Sequence, residues 1–157
     1  MHDAVGYNYR MPNINAAIGC AQAKKLPEFL EAKRKIAAVY KEELFSIVGT
    51  SMVWEQHGAH SSFWMPIFRI DRQHHKFKID TLLNFLISRG VGARGVWFPL
   101  HRQKAFKQYS SGSNKLADEI FDTSICLPCS TNMSEQDQIL IINEIRSFFS
   151  LPSDDLE

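Results

Sequence analysis

The chain has 157 residues, of which 45% are hydrophobic and 22% charged, and its formal net charge is +1. This length suits one domain with a core, and the scattered Lys and Arg residues exclude the concentrated positive surface that nucleic-acid binding needs. No apolar run approaches the ~20 residues of a membrane span, and the N-terminus lacks the pattern of a secretory signal. A cytoplasmic location is therefore expected by default.

The first third of the chain predicts two helices that meet at Pro27. The first runs from Asn13, a suitable N-cap, to Lys25, and the second from Pro27 to about Ile47, where Gly49 ends it. Each has apolar residues at helical spacing. The apolar face of the first helix consists of Ile14, Ala17, Ile18, Ala21 and Leu26, and the buried stripe of the second consists of Leu30, Ile36, Ala37, Tyr40, Leu44 and Ile47.

The middle of the chain changes period and predicts two strands that flank a helix. Ser62–Ile70 is rich in aromatic residues and apolar on both faces, which is typical of a covered strand, and Pro66 places it at a sheet edge or a bulge. The pattern then predicts a helix over Asp80–Arg89, closed by a glycine, and a second strand over Val91–Phe98.

The last third predicts mainly helices. Lys104–Tyr109 is a candidate short helix, Asn114–Thr123 is a helix, and Ile125–Pro128 is extended. Ser134 begins the last helix, and Asp137 three residues later indicates a capping box. The expected apolar residues of the Asn114–Thr123 helix are Leu116, Ala117, Ile120 and Phe121. Those of the last helix are Ile141, Ile142, Ile145, Phe148 and Phe149. The order predicts an α+β fold, a small sheet packed with helices and preceded by a long two-part helix.

The cysteines and histidines do not predict a metal site. Cys126 and Cys129 have the C-x-x-C spacing, but no second ligand pair lies nearby, and His57 and His60 lack a third ligand. Cys20, Cys126 and Cys129 are few and odd in number, so free thiols are expected.

Three motifs, in order, cover nearly the whole chain. The segment Gly6–Gly19 contains the pattern Gly-x-Asn-x-Arg-Met, and Arg94–His101 is similar to Arg-Pro-x-Trp-x-Pro-x-His, with Gly95 in place of the proline. Leu127–Gln138 is similar to a turn and helix that begin Leu-Pro-Ser-(Gly/Ser)-Thr-Asn. This ordered set resembles the DegT–StrS family of sugar aminotransferases, which use pyridoxal phosphate (PLP).

The resemblance implies the fold of aspartate aminotransferase, that is, of the fold type I PLP enzymes. Those enzymes have a large PLP domain and a smaller C-terminal domain, and they work as dimers with active sites at the interface. Residues 1–25 would then be the tail of the large domain and residues 26–157 the C-terminal small domain. In the family the lysine that holds the cofactor lies upstream of the Gly6 position. No catalytic residue is therefore assigned, and the chain alone is expected neither to hold PLP covalently nor to transaminate.

The resemblance also implies the site residues. Asn8 would reach the PLP phosphate of the neighbouring subunit, and Arg10, Arg94, Trp97 and His101 would bind the nucleotide-sugar substrate. From the residue types alone, other interpretations stay open: Asn8 caps its turn and Arg10 is a surface cation. Likewise, Trp97 could be a core residue and His101 a loop residue satisfied by the backbone.

The implied activity is transfer of an amino group from glutamate to a nucleotide-linked 4-keto-6-deoxy sugar. Two alternatives remain. The chain could be a non-catalytic remnant that binds a nucleotide sugar or dimerises with a full-length paralogue, or an α+β module with an unrelated role. The first helix and the strand at Phe63 would pack against a large domain or a second subunit, so dimerisation or aggregation of the isolated chain is expected.

Overall fold

The computed structural model describes residues 7–109 and 114–152, without the side chain of Lys107. Gly6 of the first motif, the Ser110–Ser113 loop and the acidic C-terminal tail lie outside the described residues. The elements are helix α1 (Asn13–Leu44), strand β1 (Thr50–Met52), strand β2 (Ile67–Ile70), helix α2 (Ile79–Ser88), strand β3 (Arg94–Gly95), helix α3 (Lys115–Thr123), strand β4 (Ser124–Cys126) and helix α4 (Glu135–Phe149). Two 3-10 helices, Leu100–Arg102 and Lys104–Tyr109, lie between β3 and α3.

The four strands form an antiparallel sheet in the order β1-β2-β4-β3. Strand β2 is internal, so the edge position predicted from Pro66 is wrong. Pro66 lies directly before the strand, where its missing N–H is not needed, and its carbonyl accepts a hydrogen bond from Leu127 N at 3.0 Å. The strand is also shorter than predicted, because Phe63 has a φ of 44°, which breaks the extended conformation.

Helix α1 is one continuous helix of 32 residues, with Pro27 inside it. The sequence predicted two helices because proline removes a backbone hydrogen bond and usually ends a helix. Here both Pro27 and Ala23, whose carbonyl loses that bond, are exposed, so water can hydrogen-bond this carbonyl. The helix therefore continues through the proline.

Only the C-terminal half of α1 belongs to the core. Ile36, Ala37, Tyr40 and Leu44 are buried as predicted, whereas the apolar residues of the first half are exposed. One hydrophobic cluster joins this half of α1 to β2, α2, β4 and α4. The side chains at its centre are Tyr40, Phe68, Leu82, Leu86, Ile125, Ile145 and Phe148.

Helix α4 matches its prediction, and α3 does so only in part. The Ser134 side chain accepts from Asp137 N at 3.1 Å and the reciprocal bond is present, so the capping box is confirmed. The predicted stripe of α4 is buried, apart from a half-buried Phe149. In α3, however, Leu116 and Ala117 of the first turn are exposed. This helix contacts the rest of the fold at its C-terminal end, where Thr123 is buried.

Within the two described ranges, no helix is both long enough and apolar enough to cross a membrane.

Candidate functional site

Two exposed indoles lie against each other on the surface. The rings of Trp64 and Trp97 have centroids 6.3 Å apart and planes inclined by 22°. Trp64 is 62% exposed and Trp97 is 73% exposed. The structure therefore excludes the interpretation of Trp97 as a core residue, and it adds Trp64, which sequence reasoning had placed within a covered strand. We call these two residues the tryptophan pair.

Lys33 connects the backbone of Trp64 to helix α1. Its ammonium group donates to the carbonyl of Cys129 and lies 3.5 Å from the carbonyl of Trp64. The same nitrogen is 3.2 Å from Cys129 Sγ, and this thiol donates to the Trp64 carbonyl at 3.0 Å. Lys33 of α1 thus contacts both the segment before β2 and the segment after β4.

Tyr40 fixes the adjoining turn from inside the core. Its hydroxyl donates to the carbonyl of Pro128 at 2.9 Å. Burial, and then the nearby Cys129, raise the pKa of Tyr40 well above its usual value. The side chain therefore stays a neutral phenol that can donate this bond.

An ion pair between Arg34 and Glu55 holds the segment that leads to the tryptophan pair. Arg34 donates through Nη2 to Oε1 at 2.6 Å and through Nη1 to Oε2 at 3.0 Å, and Ser61 N donates to the same carboxylate. The guanidinium also lies 5.3 Å from the centroid of the Phe63 ring. This two-pronged pairing fixes the geometry of both side chains.

Acid is expected to weaken the fold through this pair. Hydrogen bonds from Arg34 and from Ser61 lower the pKa of Glu55 from 4.5 to about 2. A carboxyl group whose pKa is depressed in the folded state stabilises it fully above the unfolded-state pKa, and this contribution disappears as pH falls through the folded-state pKa. The midpoint of urea unfolding of the unmodified chain should thus exceed that of Glu55→Gln above about pH 5, and the gap should narrow towards about pH 2.

Glu135→Gln is the matched control, because the Glu135 side chain is 80% exposed and, among the described residues, forms an ion pair with Lys35 alone, at 3.3 Å. Surface pairs of this kind contribute little. Its unfolding midpoint should follow that of the unmodified chain at every pH. A gap for Glu55→Gln that stays constant with pH would contradict the assignment.

Arg94 and His101 lie in different environments. Arg94 is exposed, and no described residue pairs with its guanidinium. His101 is half-buried, with Nε2 2.9 Å from Asp118 Oδ1, and Arg102 lies 3.6 Å from the same carboxylate. His101 is therefore oriented by a side chain of α3 rather than by the backbone. Sequence reasoning missed Asp118, since nothing in the pattern joins positions 17 residues apart.

Asn8 and Arg10 form a local turn before α1. Arg10 N donates to Asn8 Oδ1 at 3.0 Å, which supports the interpretation of Asn8 as a turn residue. This bond uses only the amide oxygen, and no described residue accepts from the amide nitrogen. Among the described residues, no hydrogen bond, ion pair or ring contact joins Asn8 or Arg10 to the Arg94–His101 segment. The chain thus presents two separate groups of candidate residues.

The three cysteines are free thiols, as predicted. Cys126 is buried at the end of β4, whereas Cys129 is half-buried and Cys20 is exposed. In the part of the chain that the structure describes, no group of three or more His, Cys, Asp or Glu side chains could hold a metal ion.

Known proteins are similar to this chain in sequence and in fold. Residues 1–146 match the DegT/DnrJ/EryC1/StrS aminotransferase family. The chain is 30% identical over 149 residues to GDP-perosamine synthase of Escherichia coli O157:H7, which covers 95% of this chain and 39% of the relative. It is 28% identical over 136 residues to a UDP-4-amino-4,6-dideoxy-N-acetyl-beta-L-altrosamine transaminase of Helicobacter pylori, covering 83% of this chain and 35% of the relative.

A solved structure shows the same arrangement. The aminotransferase TlmJ from Streptoalloteichus hindustanus superposes with a TM-score of 0.79 at 28% identity, over 92% of this chain and 38% of that one. The fold is thus the α+β C-terminal small domain of the pyridoxal phosphate-dependent aminotransferases. The chain belongs to the DegT/DnrJ/EryC1/StrS aminotransferase family. It spans about two fifths of the length of the curated relatives it matches.

Proposed function

We propose that this chain is the C-terminal part of a dimeric aminotransferase that moves an amino group from glutamate to a nucleotide-linked 4-keto-6-deoxy sugar. Residues 1–25 would belong to the large domain and residues 26–157 form the small domain. The observation that carries the proposal is the Arg94–His101 segment of a member of this family: the Arg94 guanidinium is exposed and has no partner among the described residues, and the Trp97 indole is 73% exposed.

The described residues fit only the phosphate end of pyridoxal phosphate. The amide nitrogen of Asn8 and the exposed guanidinium of Arg10 are donors suited to phosphate oxygens. Lys33, by contrast, is held by two backbone carbonyls and is not poised to receive a cofactor. When bound, pyridoxal phosphate supplies the electron sink for the transfer, and this chain's part is to hold the phosphate.

The substrate would bind to the second group of residues. The fork of Arg94 suits a diphosphate, and the open face of Trp97 can stack on a planar ring. The contact with Asp118 fixes the position of the His101 imidazole, which would be a third group that binds the substrate. Each of these side chains binds or orients the substrate, and none of them transfers the amino group.

A binding experiment tests the substrate assignment. Titration of the chain with UDP- and GDP-linked sugars should quench its tryptophan fluorescence, because Trp97 is exposed. Arg94→Gln should weaken this binding by about tenfold or more, since a hydrogen bond to a charged group is lost. Arg89→Gln is the control, because Arg89 is an exposed arginine that pairs with Glu144 at 3.8 Å. Equal binding by both variants would contradict the role of Arg94.

A trapping experiment tests the cofactor assignment. Incubation with pyridoxal phosphate followed by borohydride should leave no stoichiometric lysine adduct by mass spectrometry. A stoichiometric adduct on one lysine would contradict the assignment of the cofactor lysine to a different part of the enzyme.

The exposed apolar face of α1 favours one alternative, a non-catalytic remnant that dimerises with a full-length paralogue. Sequencing the gene upstream of the Met1 codon distinguishes the enzyme from the non-catalytic remnant. A frame that encodes the cofactor lysine supports the enzyme, and its absence supports the remnant.

A further inference from the structure

A thiol and an amine lie in contact near the tryptophan pair. Cys129 Sγ is 3.2 Å from Lys33 Nζ, and both side chains are half-buried. The hydrogen bonds that Lys33 makes to the carbonyls of Cys129 and Trp64 hold the amine at this position. Cys129 stands where the turn pattern of the third motif has serine, so this contact is a feature of this chain rather than of the pattern.

We propose that oxidation joins Cys129 Sγ and Lys33 Nζ in a covalent crosslink. This modification site is separate from the proposed aminotransferase function and does not depend on it.

The chemistry needs a peroxide as oxidant. Hydrogen peroxide converts the Cys129 thiol to a sulfenic acid: the S–O bond forms, the O–O bond breaks, sulfur loses two electrons and one water leaves. The Lys33 amine, once its extra proton has passed to solvent, attacks this sulfur. The S–N bond forms, and the hydroxyl group leaves with an amine proton as a second water.

The other thiols are less suited to this reaction. Cys126 is buried in β4, and burial together with the neighbouring Cys129 raises the pKa of its thiol, which favours the unreactive protonated form. Cys20 is exposed on the first half of α1, and no described lysine makes a hydrogen bond with its thiol. A sulfenic acid at Cys129 therefore has the Lys33 amine as its contacting nucleophile.

The crosslink would change how α1 is attached to the sheet. It joins positions 96 residues apart and closes a long loop, which restricts the unfolded chain. It also fixes the backbone of Trp64, whose carbonyl contacts both groups. The midpoint of urea unfolding of the oxidised chain is therefore expected to rise, and reduction by dithiothreitol should reverse the rise.

Peptide mass spectrometry of the folded chain after peroxide treatment tests the proposal. We expect a tryptic peptide containing Lys33 linked to one containing Cys129, with a mass about 2 Da below the sum of the two peptides.

The controls use the same chain. Cys129→Ser and Lys33→Arg should give no linked peptide, and Lys33→Arg keeps the cation that contacts the two carbonyls. The unmodified chain oxidised in urea should also give none, because the contact depends on the fold, while exposed Cys20 reports that the oxidant acted. A Cys129 that proceeds to sulfinic acid without the link, or a disulfide between Cys126 and Cys129, would overturn the proposal.

Discussion

Replacing Phe148 with alanine is expected to lower the free energy of unfolding by about 3–5 kcal/mol. Phe148 is 1% exposed and lies edge-on to three other rings, with centroid distances of 5.0 Å to Phe77, 5.3 Å to Phe85 and 5.4 Å to Phe149. Alanine removes both the buried apolar surface and these ring contacts, and the rigid neighbours cannot fill the cavity fully. Urea unfolding followed by circular dichroism measures the loss.

Phe45→Ala is the matched control for this prediction. Phe45 follows the last residue of α1 and is 86% exposed, so the same truncation removes almost no buried surface. Its effect should stay within about 0.5 kcal/mol. A loss below about 1 kcal/mol for Phe148→Ala would mean that α4 does not pack as described.

The isolated chain is expected to self-associate through the first half of α1 and the segment before it. Their apolar side chains are largely exposed: Tyr7 80%, Tyr9 90%, Met11 69%, Ile14 75%, Ile18 57% and Leu26 61%. Large exposed apolar surfaces usually bind a partner. An uncovered helix of about 15 residues is also only marginally stable in water. Contact with a second copy would bury these apolar side chains and stabilise the helix.

Sedimentation velocity over a range of protein concentrations measures this association. The double variant Ile14→Glu, Ile18→Glu should shift the chain towards monomer, because each glutamate would have to be buried in the interface. Ile87→Glu is the control, since Ile87 is 54% exposed but lies on α2. A monodisperse monomer of the unmodified chain at every concentration would contradict the prediction.

The sequence predicted best those elements whose signals are local. The cap at Ser134 and the stripe that follows it both arise from residues within one helix, and both are present. Strand β1 was missed because its three residues carry neither alternation nor an apolar run, and it exists through its pairing with β2. The predicted break at Pro27 is wrong because the free-energy cost of the lost backbone hydrogen bond depends on whether water reaches the freed carbonyl. The sequence does not show this exposure.

The candidate site divides in the same way. The motif residues Arg94 and Trp97 were identified by their pattern, and both are exposed. Asp118 and Trp64 come from distant parts of the chain, so only the fold brings Asp118 to His101 and Trp64 to Trp97. The binding of a cofactor phosphate by Asn8 and of substrate by Arg10 stays a prediction. Within the described residues, the contact that these two residues show is the hydrogen bond between them.

The packing of α1 against α4 has a consequence for biosynthesis. Gln138 Nε2 donates to the Ile36 carbonyl at 2.8 Å, and Arg146 pairs with Glu43 at 2.8 Å, so the two helices meet across more than 100 residues of chain. During translation, α1 emerges well before the helix that covers its buried side. The small domain therefore cannot complete its fold during translation until residue 149 has left the ribosome. A nascent chain that stalls before this point exposes its core residues to chaperones and proteases.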